Sequence, residues 1–281
     1  MGKIAVHLHL FYLEQLDDLL VRLQNLADYP YDLFVTMVDD NAEAKQKILT
    51  FKSDAKIWIV PNLGYDVGPF IDFLHKINLD EYDYIIKIHT KRAKSGSYCI
   101  FNRHRFDMKT WRAMLLDAVI SKSAVANNLR LLMQNDKIGM VSSEYVLTNE
   151  KWAYQNVMSQ IEEEMAKIGL KMPEDKHFVA GTMFWARAKL LKPFLVYKIE
   201  DFAVSEGQIH DGTLAHVIER MFGLVITAQG YQVRGVFYKK YLLNRFIANF
   251  KRFIFQKKLT RQGNELIKIC KIPVYRRKET M

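Results

Sequence analysis

The chain has 281 residues, 49% of them apolar and 12% aromatic, which is enough to bury one large core and excludes a disordered protein. Its net charge of +10 is unevenly placed: Val236 to Met281 holds 13 Lys and Arg against two Glu, which leaves the first 235 residues at −1 and excludes a broad nucleic-acid surface on the main body. Two distant cysteines, Cys99 and Cys270, exclude a disulfide framework or zinc cluster and fit a reducing cytoplasm, and no apolar run approaches the ~20 residues of a spanning helix.

In chain order, Ile4 to Phe11 reads as a strand; its two histidines and the lack of a small-residue cleavage site argue against a signal peptide. Leu16, Leu19, Leu20, Leu23 and Leu26 recur at helical spacing over Leu13 to Leu26. Tyr31 to Val38 is a second strand ending in Asp39-Asp40-Asn41, followed by a polar helix over Ala42 to Phe51. Lys56 to Val60 is a third strand. A glycine block then opens a helix from Val67 to Ile77, and Tyr82 to Ile88 is a fourth strand. Strands alternating with helices imply a parallel sheet with right-handed crossovers, so the fold class is α/β. Ligands on such sheets bind beyond the carboxyl ends of the strands, which here carry His9, Asp39, Asp40, Asn62, Asp66, Lys87 and His89.

Ser95 to Met108 reads as a polar, basic loop and Trp111 to Gln134 as helical. Ile138 to Ser142 is a short strand, and Ala153 to Ile168 a helix stopped by Gly169. Phe178 to Ala186 reads as a strand. Asp211 takes the N-cap position of a helix running to Phe222, with Gly223 past its end, and Leu224 to Thr227 is the last strand. From Leu242 to Ile254, apolar residues recur at helical spacing among Lys and Arg, the pattern of an amphipathic helix on an anionic bilayer.

Five blocks carry chemistry. A carboxylate at Asp39 or Asp40 suits a nucleobase or ribose hydroxyl, against a plain helix cap. Asn62-Leu63-Gly64-Tyr65-Asp66-Val67-Gly68 brings backbone close to a ligand, or is a tight strand-to-helix turn; its spacing is not the dinucleotide fingerprint. Lys87, His89, Lys91 and Arg92 form a basic strand end, with Lys87 and His89 on one face, suited to the charge on a leaving diphosphate. His7 and His9 make a His-x-His pair that suits a metal, or two half-buried histidines bonded to neighbours. Asp211, ahead of His216 and Glu219, is placed as a general base or as a cap.

In this order the blocks resemble the GT-A glycosyltransferases of the large family two, through Asp39-Asp40, Asn62-Leu63-Gly64 and Asp211. Lys87-Ile88-His89 falls where that family has Asp-x-Asp, which leaves the usual magnesium or manganese site open. The strings NLGYDVGPF, YDYIIKIHTKR, FVAGTMFWAR and DGTLAHVIERMFG are similar to the rhamnan synthesis protein F family. That resemblance implies a GT-A-like domain over 1–235; the residues beyond it, 236–281, read from their own spacing and charge as a basic amphipathic helical tail. The resemblance implies transfer of a sugar, rhamnose from dTDP-rhamnose, onto a lipid-linked glycan in cell-surface polysaccharide synthesis, and one base with no obvious nucleophile fits inversion. Asn62, Gly64 and Asp66 would then serve the nucleotide sugar, and Lys87, His89 and Lys91 would face its diphosphate. Gly181 and Thr182 would line the sugar, with Asp211 as base.

No metal ligand is assigned; a magnesium or manganese cofactor stays open. The expected partners are a dTDP- or UDP-sugar, a lipid-linked acceptor and an anionic membrane met by the tail, without nucleic acid. The expected location is the inner face of the cell membrane. A UDP-galactofuranose transferase, a metal-dependent hydrolase on His7, His9 and His89, and a non-catalytic polysaccharide-assembly protein are the alternatives.

Overall fold

The computed structural model describes residues 2–92, 98–101, 104–149, 153–154, 157–204, 212–238, 241, 250, 253–259, 265–270 and 272–277. The elements run β1 (Ile4–Leu10), α1 (Leu16–Leu23), β2 (Tyr31–Met37), α2 (Ala42–Phe51), β3 (Lys56–Ile59), α3 (Val67–Lys76) and β4 (Tyr84–His89). They continue through β5 (Tyr98–Phe101), β6 (His104–Asp107), α4 (Met108–Ile120), α5 (Lys122–Gln134), β7 (Ile138–Ser143), β8 (Leu147–Thr148) and α6 (Met158–Lys167). The rest are β9 (Phe178–Val179), β10 (Phe184–Arg187), α7 (Leu214–Ala228), β11 (Gln232–Val236), β12 (Phe255–Leu259), β13 (Glu265–Ile269) and β14 (Ile272–Arg277).

The chain divides into two compact units: Met1–Ala93 with Arg112–Phe237, and Lys94–Trp111 with Tyr238–Met281. The first unit is built on a seven-stranded sheet of order β11-β7-β10-β4-β1-β2-β3. β1 to β4 are mutually parallel, β10 runs antiparallel to both of its neighbours, and β11 is parallel to β7. This is the α/β architecture with a mixed, mostly parallel sheet. Chain order steps outward from β1 through β2 to β3, then returns to place β4 on the other side of β1. The crevice between the carboxyl ends of β1 and β4 is therefore the topological switch point, where open α/β sheets bind ligands.

β1 and β4 are buried along their whole length, as a central parallel strand requires. One face of the sheet packs an aromatic cluster. Phe34, Phe70, Phe73, Phe184 and Phe222 meet edge-on or tilted, and Phe70 stacks on Phe73, at centroid distances of 5.3 to 5.9 Å. α2 is capped by Asn41, whose Oδ1 accepts the Ala44 amide at 2.8 Å.

Several elements differ from the sequence reading. Trp111 to Gln134 is two helices, broken at Ser121, whose hydroxyl accepts the Ala124 amide and caps α5. The helix expected from Ala153 begins at Met158. Phe178 to Ala186 is two short strands around a turn, and the Ser95 to Met108 loop contains the β5–β6 hairpin.

Leu224 to Thr227 is not a strand but the last part of α7, and the sheet's final strand in the first unit is β11. α7 is buried nearly all round, and such a helix reads in sequence like a strand. Gly223, read as a helix stop, sits inside α7. A Cβ there would lie 2.3 Å from the His177 carbonyl and 2.7 Å from Phe178 Cα, so its bareness lets α7 lie against β9. The N-cap of α7 is Thr213, not Asp211.

In the second unit, β12, β13 and β14 form an antiparallel sheet over part of the segment read as a helical tail. Most of Leu242 to Ile254 lies outside the described residues, so that helix is not placed.

Candidate functional site

Strand register brings the polar groups of the first unit together. His7 pairs with Phe34 of β2 on one side and Lys87 of β4 on the other, and Lys87 in turn faces Phe184 of β10. One step nearer the carboxyl ends, His9 lies between Thr36 and His89. Two cross-strand rows result, one half aromatic and one wholly polar, at the switch point between β1 and β4.

Lys87 is among the largest fully buried side chains, with 1% of its side chain exposed. Its ammonium donates to the Asp66 carboxylate and, at 2.9 Å, to Thr182 Oγ1, and it lies 5.4 Å from the centre of the Phe70 ring. Thr182 also donates to Asp66, which closes a triangle of three hydrogen-bonded groups from three separate segments. His89 Nδ1 is 3.5 Å from the same Asp66 oxygen, without the alignment of a hydrogen bond. Burial alone would raise the Asp66 carboxyl, but the Lys87 and Lys91 charges and the hydrogen bond from Lys87 outweigh it and hold it well below the usual carboxylate range. Burial lowers the Lys87 ammonium, and Asp66 opposes that shift. The pair is thus a buried ion pair whose charges depend on one another.

The histidines form a second network. Thr36 Oγ1 lies 2.9 Å from His7 Nε2 and 3.0 Å from His9 Nδ1. His7 stacks on Phe73 at 4.7 Å, and its Nδ1 is buried without a partner. A buried N–H without a partner costs more than a bare lone pair. His7 therefore holds its proton on Nε2 and donates it to Thr36, and Thr36 donates to His9 Nδ1. His9 is left with its proton on Nε2, the ring atom not committed to this network. Burial pushes His9 down to about 4 and holds His7 and His89 well below their ordinary value, so all three are neutral at neutral pH.

Two turns hold the triangle. In the first, Gly64 and Tyr65 both take positive φ, 67° and 55°. A Cβ on Gly64 would lie 2.7 Å from the Phe202 ring, and one on Gly68 would lie 2.1 Å from the Leu63 carbonyl oxygen. These glycines serve close packing: the approach expected of Gly64 toward a ligand is taken up by Phe202. In the second turn, Gly181 and Thr182 take φ of 83° and 50°. A buried β-branched residue at positive φ is strained, and its bonds to Lys87 and Asp66 retain it there. The Gly181 amide donates to Glu219 of α7 at 2.8 Å. His216, one turn into α7, meets Thr213 Oγ1 at 2.8 Å through Nδ1 and packs edge-on to Tyr65, with ring centroids 5.7 Å apart.

His9, Asp66, Lys87, His89, Gly181 and Thr182 therefore converge. The direct diphosphate contact expected of Lys87 is not open to its buried, doubly bonded ammonium. Lys91 stands at the rim, its backbone pinned in both directions by the Gln15 side chain at 3.0 and 3.1 Å. Asn62 lies at the start of the first turn, half-buried. Asp39 and Asp40 are exposed beyond β2, and Asp40 pairs with Lys45 at 2.6 Å. Asp211 lies outside the described residues. Thr36 went unmarked in the sequence because threonine in a strand is unremarkable. Its only signal is the period of two that aligns it with His7 and His9 across the sheet. Among the described residues, no group of three or more His, Cys, Asp and Glu side chains is placed to hold a metal ion, and no helix is long and apolar enough to cross a membrane.

Residues 1–231 match the rhamnan synthesis protein F family. The chain is 27% identical over 236 residues to the uncharacterized protein WxcX of Xanthomonas campestris pv. campestris, in strains B100 and ATCC 33913. That match covers 83% of this chain but 32% of the relative, so the chain spans about a third of the length of the curated relatives it matches. Among solved structures, Staphylococcus aureus TarS 1–349 in complex with UDP is 10% identical, covering 83% of this chain and 58% of that one at a TM-score of 0.46. The galactosyltransferase LgtC with donor and acceptor sugar analogs is 9% identical, covering 82% and 72% at 0.42. Glucosyl-3-phosphoglycerate synthase from Mycobacterium tuberculosis with Mn2+, UDP and phosphoglyceric acid is 10% identical, covering 98% and 89% at 0.40. Likenesses this distant carry no functional argument. The match over most of its length places the chain in the rhamnan synthesis protein F family.

Proposed function

We propose that this member of the rhamnan synthesis protein F family is a GT-A-like glycosyltransferase of polysaccharide synthesis, moving rhamnose from dTDP-rhamnose onto a lipid-linked glycan. The observation that supports it most is the convergence of His9, His89 and the Lys87–Asp66–Thr182 triangle on the switch point between β1 and β4. That crevice suits a nucleoside diphosphate. His9 Nε2 and His89 offer hydrogen bonds to the diphosphate, and Lys91 offers charge. Lys87 acts through Asp66: it cancels a carboxylate that would repel the donor and holds two turns together. Asn62, Asp39 and Asp40 serve the nucleoside, and Gly181, Thr182 and the free oxygen of Asp66 the sugar.

Asp211, two residues ahead of the α7 cap, accepts the proton of the acceptor hydroxyl. That oxygen attacks the anomeric carbon as the bond to the diphosphate breaks, and the electron pair leaves on the diphosphate, offset by Lys91 and the histidine donors. One displacement inverts the anomeric carbon. A divalent cation on the diphosphate is compatible with this chemistry, although the described side chains supply no ligand cluster of their own. The basic C-terminal segment holds the enzyme against the anionic inner face of the membrane, where a lipid-linked acceptor resides.

The test is release of free nucleotide from dTDP-rhamnose and from UDP-galactofuranose, with lipid-linked glycan as acceptor. Turnover of dTDP-rhamnose that falls at least about a hundredfold in Asp211→Asn, with donor affinity unchanged, supports the reading. Turnover of UDP-galactofuranose instead replaces the donor. No turnover of either, with no nucleotide binding, moves the protein to a non-catalytic assembly role.

A further inference from the structure

The second unit exposes a patch of large apolar side chains on its three-stranded sheet. Phe255 of β12 pairs in register with Ile269 of β13, and Ile269 pairs with Ile272 of β14. In antiparallel strands, residues directly opposite one another lie on the same face, so these three form one row across the sheet. All three are exposed, at 54%, 46% and 65%, and Val274 is exposed by 54%. Ile254, next to Phe255, is also exposed. The row sits at the start of β12, the end of β13 and the start of β14, beside the connection through Cys270, which takes a φ of 48°. The register of β13 and β14 slips between Ile267 and Lys268, one step from the row, as a bulge that re-aims a strand end does.

A bare apolar row on a soluble sheet invites pairing and marks a contact surface. Its surroundings indicate the partner. The segment from Val236 carries a balance of +11, and Lys257, Lys258, Lys268, Arg276 and Arg277 occupy positions in these same strands. The bare side chains are chiefly aliphatic, which form neither stacking platforms for bases nor hydrogen bonds to a polar partner. Aliphatic and aromatic side chains on strands rich in Lys and Arg match an anionic lipid surface, where apolar groups enter the headgroup boundary and cations meet the phosphates.

We propose that the β12–β14 sheet is a membrane-docking element, entering an anionic bilayer through Phe255, Ile269, Ile272 and Val274. This deepens the membrane contact proposed above: it assigns the contact to one end of a sheet in place of an amphipathic helix. It predicts that binding has an apolar component as well as a salt-sensitive one.

The experiment is sedimentation of the full chain with vesicles of phosphatidylcholine, with and without phosphatidylglycerol, across a range of salt. The comparison is with Ile269→Ser/Ile272→Ser, which keeps every charge. The unsubstituted chain is expected to bind the anionic vesicles, and the double variant to lose about tenfold or more in partition. Both positions are exposed, so the variant is expected to unfold with an unchanged midpoint. In Ile272→Trp, the added fluorescence, taken as the difference from the unsubstituted chain, is expected to shift to the blue on anionic vesicles.

Equal binding by the double variant with no fluorescence shift would overturn the proposal, leaving a simple polyanion patch. So would displacement of both chains alike by short duplex DNA, or no vesicle binding at all. Nucleotide titration of the same samples separates the readings: vesicle binding without nucleotide binding keeps the docking element and removes the transferase.

Discussion

Replacing Asp66 with Asn tests whether the buried ion pair organises the site. The substitution keeps the shape of the side chain and removes its charge. Lys87, with 1% of its side chain exposed, then holds its ammonium against the Thr182 hydroxyl and a neutral amide, or gives up its proton. Removing one partner of a buried pair costs about 3–5 kcal/mol, because the other charge stays buried and uncompensated. At about 2–4 °C per kcal/mol for a domain of this size, the melting midpoint falls by roughly 6–20 °C.

The converse change, Lys87→Met, is milder, at about 1–3 kcal/mol. Asp66 is 19% exposed and keeps its bond from Thr182, so its charge can turn toward water. The double variant carries neither charge and is expected to be more stable than Asp66→Asn alone, with a coupling of about 2 kcal/mol or more. The pair also sets an acid response. The folded carboxyl lies well below its unfolded value near 4, so the contribution is full above that value and is lost as the pH falls. Asp66→Asn should lack that acid branch. Urea unfolding of the four chains at neutral and acid pH measures all of this. A loss under about 1 kcal/mol in Asp66→Asn, or strict additivity in the double variant, would refute the reasoning.

The remaining expectations follow from neighbouring groups. His7, His9 and His89 are neutral in the fold with lowered values, so the unfolded chain takes up protons first and stability falls as the pH drops below about 6.5. For His9, folded at about 4, the loss is about 3 kcal/mol across that range, and urea titrations that stay flat from pH 7 to about 4.5 would contradict it. Thr36→Val removes the hydroxyl shared by His7 and His9, whereas Thr36→Ser keeps it. Nitrogen NMR of the histidines should show a single His9 tautomer in Ser and a mixture in Val, and one unchanged tautomer in both would rule out the relay. Gly68→Ala drives a Cβ to 2.1 Å from the Leu63 carbonyl oxygen, so the backbone must move, at a cost of about 2 kcal/mol or more by thermal melting. A midpoint equal to the parent's would mean the turn is looser than it looks.

The first half of the main sheet is legible because its signals are local and agree. Apolar runs of strand length alternate with helical spacing, Asn41 caps α2, and the Gly64–Gly68 turn feeds α3. From that topology the strand ends follow, and with them His9, Asp66, Lys87 and His89. What lies beyond needed contacts between distant residues. α7 reads as helix plus strand because it is buried on every side. Gly223 reads as a stop because nothing in the sequence says that β9 will press against it.

The setting of Lys87 is hidden from the sequence for a similar reason. Its position in a strand was visible, but not that Asp66, 21 residues earlier, and Thr182, 95 residues later, would close over it. The C-terminal cations were plain, whereas the helical spacing over Leu242 to Ile254 gave no hint of the sheet that follows from Phe255.

The central claim is that the crevice between β1 and β4 binds a nucleoside diphosphate through His9 and His89. It is tested most directly by calorimetric titration of the full chain, and of His9→Ala and His89→Ala, with dTDP and UDP, first in chelator and then with magnesium or manganese. The account expects saturable binding of one nucleotide by the full chain, weakened about tenfold or more in each variant at a temperature where thermal melting shows the variant still folded. Binding of neither nucleotide in any condition, or binding that both substitutions leave untouched, would contradict it.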